Sequence, residues 1–234
     1  MTRISRVAPR FARSTLASAE AGGNVYDKYG TSNPIARRLM VGFLGRLDRL
    51  VERSGATEAH EVGCGEGELA VRLARRGLRV RGSDAFPEVL KEARRRAAAA
   101  GVAIDFEATP VEELRPERDA AELVVCCEVL EHLGDPEGAL EVLTGLARPW
   151  LIASVPREPL WRVLNLARLS YVRDLGNTPG HLNHWSHREF VRFLTRRFEV
   201  VEVVSPLPWT MALCRAPQAT ATATTYNPPP SSCA

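Results

Sequence analysis

His60-Glu61-Val62-Gly63-Cys64-Gly65-Glu66-Gly67 decides how this chain is read. The residues before it, Ala56 to Ala59, lead into a short strand ending at Val62. The residues after it, Glu68 to Arg76, carry Leu69, Val71, Leu73 and Ala74 at helical spacing. Three glycines at alternate positions therefore occupy a strand-to-helix turn. Glycine in such a turn tolerates positive φ and lets a ligand approach the backbone. The first turn of the helix adds N–H groups that lack helical partners. Asp84 follows Gly63 by 21 positions, at the end of a second apolar strand, Leu78 to Ser83. A carboxylate at that distance can accept both hydroxyls of a ribose. Turn and acid together describe a nucleoside-cofactor site at the edge of an α/β sheet.

The pattern Glu61-x-Gly63-x-Gly65-x-Gly67 departs from the G-x-G-x-x-G of dinucleotide sites, which leaves NAD as the lesser reading. It resembles motif I of the class I S-adenosylmethionine (SAM) dependent methyltransferases, and the resemblance extends over roughly residues 24 to 215. It implies a Rossmann-like, doubly wound, seven-stranded sheet, mostly parallel with an antiparallel last strand. It implies SAM as cofactor, with contacts at Glu61, Gly63, Cys64, Gly65, Gly67, Asp84, Ala85, Thr109 and Glu128. Glu61 falls near the methionine amine, Gly63 and Gly65 pass under methionine and ribose, and Asp84 is the ribose acid. Many relatives carry an acid near the start of the turn that meets the adenine, where this chain has Thr109.

Composition sets outer bounds. The 234 residues suffice for one α/β domain with elaborations. The formal charge is +3, but Arg3, Arg6, Arg10 and Arg13 precede the first acid, Glu20. Without those four arginines the body is near neutral, which argues against a nucleic-acid surface. Cys64, Cys126, Cys127, Cys214 and Cys233 show no C-x-x-C spacing. Reduced thiols and a cytoplasmic location are the expectation. No apolar run approaches the ~20 residues of a membrane span. Residues 1–23 read as a disordered basic arm rather than a transit peptide, because they have no clear amphipathic face. The Ala-, Thr- and Pro-rich residues 216–234 read as a disordered tail.

Between them, helices and strands alternate. Asn33 and Pro34 start a helix that carries Ile35, Leu39, Phe43 and Leu47 on one stripe and stops at Gly55. Tyr26 and Tyr29, just before it, suit either a lid or plain packing. Pro87 opens a helix to Ala100, with Gly101 beyond. Strands are expected at Val102–Ala108, Leu123–Cys127 and Trp150–Val155, with a helix from Asp135-Pro136 to Ala147. Residues 156–180 interrupt the rhythm with an apolar helix bearing Leu160, Trp161, Val163, Leu164, Leu166, Leu169 and Val172. That composition suits a substrate-covering lid, a dimer contact, or a helix lying on membrane lipid, and its position favours the lid. Ser186 and Glu189 form a capping box for a helix to Arg197. Glu199–Val204 and Thr210–Arg215 close the sheet.

The chemistry-bearing stretch is Glu128-Val129-Leu130-Glu131-His132, after the fourth strand. On a helical turn Glu128, Glu131 and His132 share a face. Two carboxylates and an imidazole suit Mg²⁺, Mn²⁺ or Zn²⁺. His181, His184 and His187 lie in or beside Pro179-Gly180-His181-Leu182-Asn183-His184-Trp185-Ser186. Glu-x-x-Glu-His with a distant His before Trp-Ser resembles two metal-dependent groups, the ubiquinone-biosynthesis O-methyltransferases and the small-RNA 3′-terminal 2′-O-methyltransferases. The likeness implies a metal site of Glu128, Glu131, His132 and His181. Glu131-His132 also occurs in many metal-free methyltransferases, so the two accounts stand level. Without a metal, His132, His181 or His184 is the candidate general base. The expected activity is methyl transfer to an oxygen of a small-molecule acceptor: a quinone precursor, a lipid or a natural product. RNA 2′-O-methylation and a non-catalytic binding protein are the rivals. Monomer and homodimer both remain open.

Overall fold

A computed structural model describes residues 33–167 and 174–217. The expectations for residues 1–23, for Tyr26 and Tyr29, for Leu169 and Val172, and for 218–234 lie outside the described residues. Seven strands form one sheet: β1 (Glu58–Val62), β2 (Arg79–Asp84), β3 (Ile104–Ala108), β4 (Ala121–Cys127), β5 (Ala147–Pro156), β6 (Glu199–Val204) and β7 (Trp209–Arg215). Their spatial order is β3-β2-β1-β4-β5-β7-β6. All neighbours from β3 to β5 pair in parallel, whereas β7 runs antiparallel to both β5 and β6. This is the expected doubly wound sheet with an antiparallel last strand. The order reverses between β1 and β4, so the crevice at their carboxyl ends is where such sheets bind ligands.

The helices are α1 (Pro34–Ser54), α2 (Glu68–Arg75), α3 (Pro87–Ala100), α4 (Pro116–Asp119), α5 (Pro136–Leu146), α6 (Leu160–Ala167) and α7 (His187–Leu194). Their starts follow from local chemistry. The Asn33 carboxamide oxygen accepts the N–H of Ile35 at 2.9 Å and of Ala36 at 3.3 Å, while Gly55 ends α1 at φ 64°. Ser186 and Glu189 close both bonds of their capping box. Met40, Phe43, Leu47, Leu50 and Val51 bury one face of α1, but Ile35, in its first turn, stays 72% exposed and does not belong to the stripe.

Two apolar clusters hold the layers together. One gathers α1, α2 and α3 with Val80, Phe106, Leu123, Ile152 and Trp209. The other gathers α5 and α7 with Val124, Leu151, Ala153 and Cys214. Fully burying a single Leu or Phe is worth about 1.5–3 kcal/mol, so β4, with Leu123, Val124, Val125 and Cys126 at zero exposure, anchors both faces. Cys64, Cys126, Cys127 and Cys214 are free thiols, all buried.

Boundaries differ from expectation where backbone bonds compete. Val102 does not start β3, because its N–H returns to the carbonyl of Ala97 and finishes α3 behind Gly101. α7 stops at Leu194, and the N–H groups of Arg196 and Arg197 close tighter turns onto Phe193 and Leu194. β5 begins at Ala147, directly after α5, and extends to Pro156.

Residues 157–185 leave the sheet and return to it. Arg157 and Trp185 form a parallel bridge at the base of this excursion, and the Glu158 N–H donates to the Trp185 carbonyl at 2.9 Å. Within it, α6 is tied to the chain that follows. Trp161 Nε1 donates to Thr178 Oγ1 at 2.9 Å, and the buried Asn165 donates to the Gly176 carbonyl at 2.8 Å.

Candidate functional site

The turn after β1 forms one half of the site. The N–H groups of Gly63 and Cys64 both donate to the Ser83 carbonyl, which fixes the turn to the end of β2. Its glycines answer two separate needs. A side chain on Gly63 would collide with Val129 Cγ2, and one on Gly67 would meet the Ala93 methyl at 2.9 Å. Gly65, at φ 51°, faces open space within 4 Å, so there the backbone is bare toward the crevice. Asp84 bridges turn and strand: one carboxylate oxygen accepts the Gly65 N–H at 2.8 Å, the other the Phe86 N–H at 2.9 Å. Each oxygen keeps acceptor capacity beyond that one bond. Ala85 beside it is exposed, whereas Cys64 and Thr109 are buried.

Glu61 is the unusual member. It is 4% exposed, and its Oε2 has no hydrogen-bond partner. Burial pushes its pKa well above the usual carboxylate range, opposed by a bond from the Ala70 N–H and reinforced by Asp84 and Glu68. α2 has no side-chain cap at Gly67, so Glu61 supplies from β1 an acceptor for the Ala70 N–H in the first turn of that helix. Arg96 holds the far side of the turn, bonding Glu66 at 2.7 Å and Glu68 at 2.6 Å.

The other half lies at the ends of β4 and β5. The helical face expected for Glu128, Glu131 and His132 does not form. Glu128 adopts φ 61°, and only Leu130–His132 makes a 3-10 turn. A side chain at positive φ costs on the order of 1–3 kcal/mol and persists only where surroundings enforce it. Here Ser154 Oγ donates to Glu128 Oε1 at 3.1 Å, and Trp209 Nε1 to Oε2 at 2.6 Å. The Glu128 carboxylate is thus turned toward β5 and β7.

Glu131, His132 and His181 do come together. They offer a carboxylate oxygen and two ring nitrogens that all lie within 4.8 Å of one another. Glu131 is 1% exposed and His181 8%, while His132 is exposed. The imidazoles of His132 and His181 meet edge to face with centroids 4.9 Å apart, and Trp161 stacks on His181 at 6.1 Å. Trp209 completes the wall, 5.9 Å from Trp161 and 5.1 Å from Phe43. His132 Nδ1 lies 2.9 Å from the Gly180 carbonyl. A carbonyl only accepts, so in the neutral ring the proton sits on Nδ1 and Nε2 is the basic nitrogen.

His184 stands apart in a different group. Its Nδ1 lies 3.7 Å from Glu158 and its Nε2 3.2 Å from Arg162. Burial lowers its pKa, Arg162 adds to that, and Glu158 opposes it. His187 faces Ser205 at 3.3 Å from the start of α7. Sequence reasoning passed over Trp209, Ser154 and Asn183. Ser154 sits inside a strand that read as core, and Trp209 lies one residue before the expected start of the last strand, so only strand pairing reveals that it faces Pro156.

Residues 59–149 match the family model described as a methyltransferase domain. A ubiquinone biosynthesis O-methyltransferase of Bordetella parapertussis is 36% identical over 137 residues, 56% of this chain and 57% of that protein. The chain thus spans less than two thirds of the length of this curated relative. Among solved structures, magnesium protoporphyrin IX methyltransferase from Synechocystis PCC 6803 with bound SAH (S-adenosylhomocysteine) is similar with a TM-score of 0.61. It is 21% identical, covering 81% of this chain and 90% of that one. The N-methyltransferase NodS from Bradyrhizobium japonicum, in complex with SAH, gives 0.61 at 22% identity, over 83% and 94%. At such identities these two structures speak for the fold alone.

Proposed function

We propose that this chain, whose residues 59–149 match a methyltransferase domain, is a class I SAM-dependent methyltransferase that binds SAM at the glycine turn and transfers the methyl group to an oxygen of a small-molecule acceptor. The observation that carries this reading is Glu61. A buried carboxylate with an unpartnered oxygen, beside an open backbone at Gly65, is a site built for a cation. The ammonium of a methionine moiety supplies that cation, and the Asp84 carboxylate suits the ribose diol. The donor set therefore fits the cofactor, with Thr109 at the adenine turn and Ala85 after the ribose acid.

When bound, SAM supplies a methyl group on a positive sulfur for in-line transfer. The chain's own residues align the acceptor and take its proton. Trp161, partly exposed beside His181 and backed by the buried Trp209 and Phe43, offers an aromatic face suited to an apolar or planar acceptor. His132, its proton directed at the Gly180 carbonyl, presents Nε2 as base, so the hydroxyl proton moves to Nε2 as oxygen attacks carbon. The Bordetella relative, a ubiquinone biosynthesis O-methyltransferase, points the same way. Glu131, His132 and His181 also fit a divalent ion, for two imidazoles and a carboxylate suit Zn²⁺ or Mn²⁺. Such an ion would polarise the acceptor oxygen. Glu128 then stays a wall residue bound to Trp209. The near-neutral body favours a small acceptor over RNA.

The test is calorimetry with SAH and NAD on the full chain, followed by SAH release from SAM with a catechol as probe acceptor. Binding of SAH but not NAD, and catechol methylation lost in His132→Ala, supports the reading. NAD binding in place of SAH overturns it.

A further inference from the structure

We propose that Asn183 is a positioning residue that sets the geometry of the Glu131–His132–His181 centre. The inference rests on the reading of that centre as the acceptor-activating site. The 3-10 turn carrying Glu131 and His132 is three residues long, and its carbonyls need outside partners. They find them 50 or so residues away. Asn183 Nδ2 donates to the Leu133 carbonyl at 2.7 Å and to the Leu130 carbonyl at 3.2 Å. The N–H groups of Leu182 and Asn183 both reach the Glu131 carbonyl, at 2.8 and 3.0 Å. The Gly180 carbonyl takes the His132 ring from the other side.

Residues 180–183 therefore act as a C-cap delivered from a distant segment, and His181 lies inside it. One carboxamide spans both ends of the turn, so it fixes the register in which the His181 ring meets that of His132. A hydroxyl could reach one carbonyl but not both, and a carboxylate could donate to neither. The side-chain bonds of Asn183 go to backbone carbonyls of the turn, which makes its role orientation rather than chemistry. The apolar contacts of α6 alone would allow the segment to slide, because Trp161 stacks on His181 without directional bonds to the turn.

The test compares wild type, Asn183→Ala and Asn183→Asp as full chains. Asn183→Asp keeps the size and removes the donor, so it guards against a variant that fails through lost packing. Ring-to-ring nuclear Overhauser contacts between His132 and His181, recorded without metal or acceptor, should be present in wild type and lost in both variants. Turnover number with SAM and catechol should fall at least tenfold, while the dissociation constant for SAH changes less than twofold. Retained ring contacts and unchanged turnover in both variants overturn the proposal. A fall in SAH affinity equal to the fall in turnover also overturns it, since that marks general loosening. Should His132→Ala itself leave turnover unchanged, the reading of the centre fails, while the ring contacts still decide whether Asn183 orients it.

Discussion

The glycine-turn half and the histidine half of the proposed site are built on opposite plans. The first is assembled from neighbours in sequence: β1, the glycine turn, α2 and β2 lie within residues 58–84. Backbone groups do most of its work, through the Ser83 carbonyl and the Gly65 N–H, with the Asp84 carboxylate as their side-chain partner. The second is assembled across long separations. His132 meets His181 through a segment that leaves the sheet at Arg157 and rejoins it at Trp185. Side chains dominate there, with Trp161, Trp209, Glu128 and Asn183 each bridging different elements. Local construction gives the glycine turn a fixed shape, which suits the proposed cofactor site. Long-range construction gives a wall that substitution can reshape without disturbing that turn.

Variants can break this division if it is wrong. The largest effect is expected for His132→Ala, which should lower turnover by roughly 10²–10⁴-fold, the usual worth of a general base. SAH affinity measured by calorimetry should hold, and loss of both together would erase the division. Stripping with a chelator sharpens the same side. Activity that returns with Mn²⁺ or Zn²⁺ in wild type but not in His181→Ala assigns the ion to the centre, whereas full activity of stripped protein assigns the chemistry to His132 alone.

On the cofactor side, Asp84→Ala should weaken SAH binding by about 1.5–3 kcal/mol, since the bonds lost are charge-assisted. It also leaves the Gly65 and Phe86 N–H groups without their partner. A smaller and two-signed effect is expected for Glu61→Gln. The folded chain holds the Glu61 proton more tightly than the unfolded chain does, so this carboxyl withdraws stability as pH rises above its ordinary 4.5. At neutral pH the variant should melt higher than wild type without ligand and gain less from SAH. Equal gains from SAH in both would remove Glu61 from the site.

The smallest effect concerns the scaffold between the halves. His60 is buried in β1, its ring bonding the Asp119 carbonyl at 2.8 Å and the Ser83 hydroxyl at 3.0 Å. Burial lowers its pKa below the ordinary 6.5, with Arg81 adding to the shift and the Asp119 carbonyl opposing it. The unfolded chain therefore takes up a proton that the folded one refuses. This stability is present above 6.5 and drains away as pH falls below it. His60→Gln should flatten the melting temperature between pH 7 and 5, and an unchanged slope would exonerate this ring.

The sequence was most legible where structure is local. The Asn33 cap, the Gly55 stop, the capping box at Ser186 and the bounds of β6 all follow from residues within a turn of each other. The glycine turn and Asp84 were legible for the same reason. Glu128 was not, because helical spacing says nothing of a residue forced to φ 61° by Ser154 and Trp209 from two other strands. The His132–His181 pairing was legible only as a resemblance between patterns, while Asn183, an ordinary polar residue in a loop, carried no signal until its two carbonyl partners were in place.

The bridge between Arg157 and Trp185 has a consequence for how this fold diversifies. It pinches the excursion shut at its base, so the chain between can change length while both exits stay in register with β5 and α7. For a flexible segment, each doubling of length costs only about 0.6 kcal/mol of closure entropy. Between this pinch and the cap at residues 180–183, the chain can change length while the histidine centre and the glycine turn keep their places.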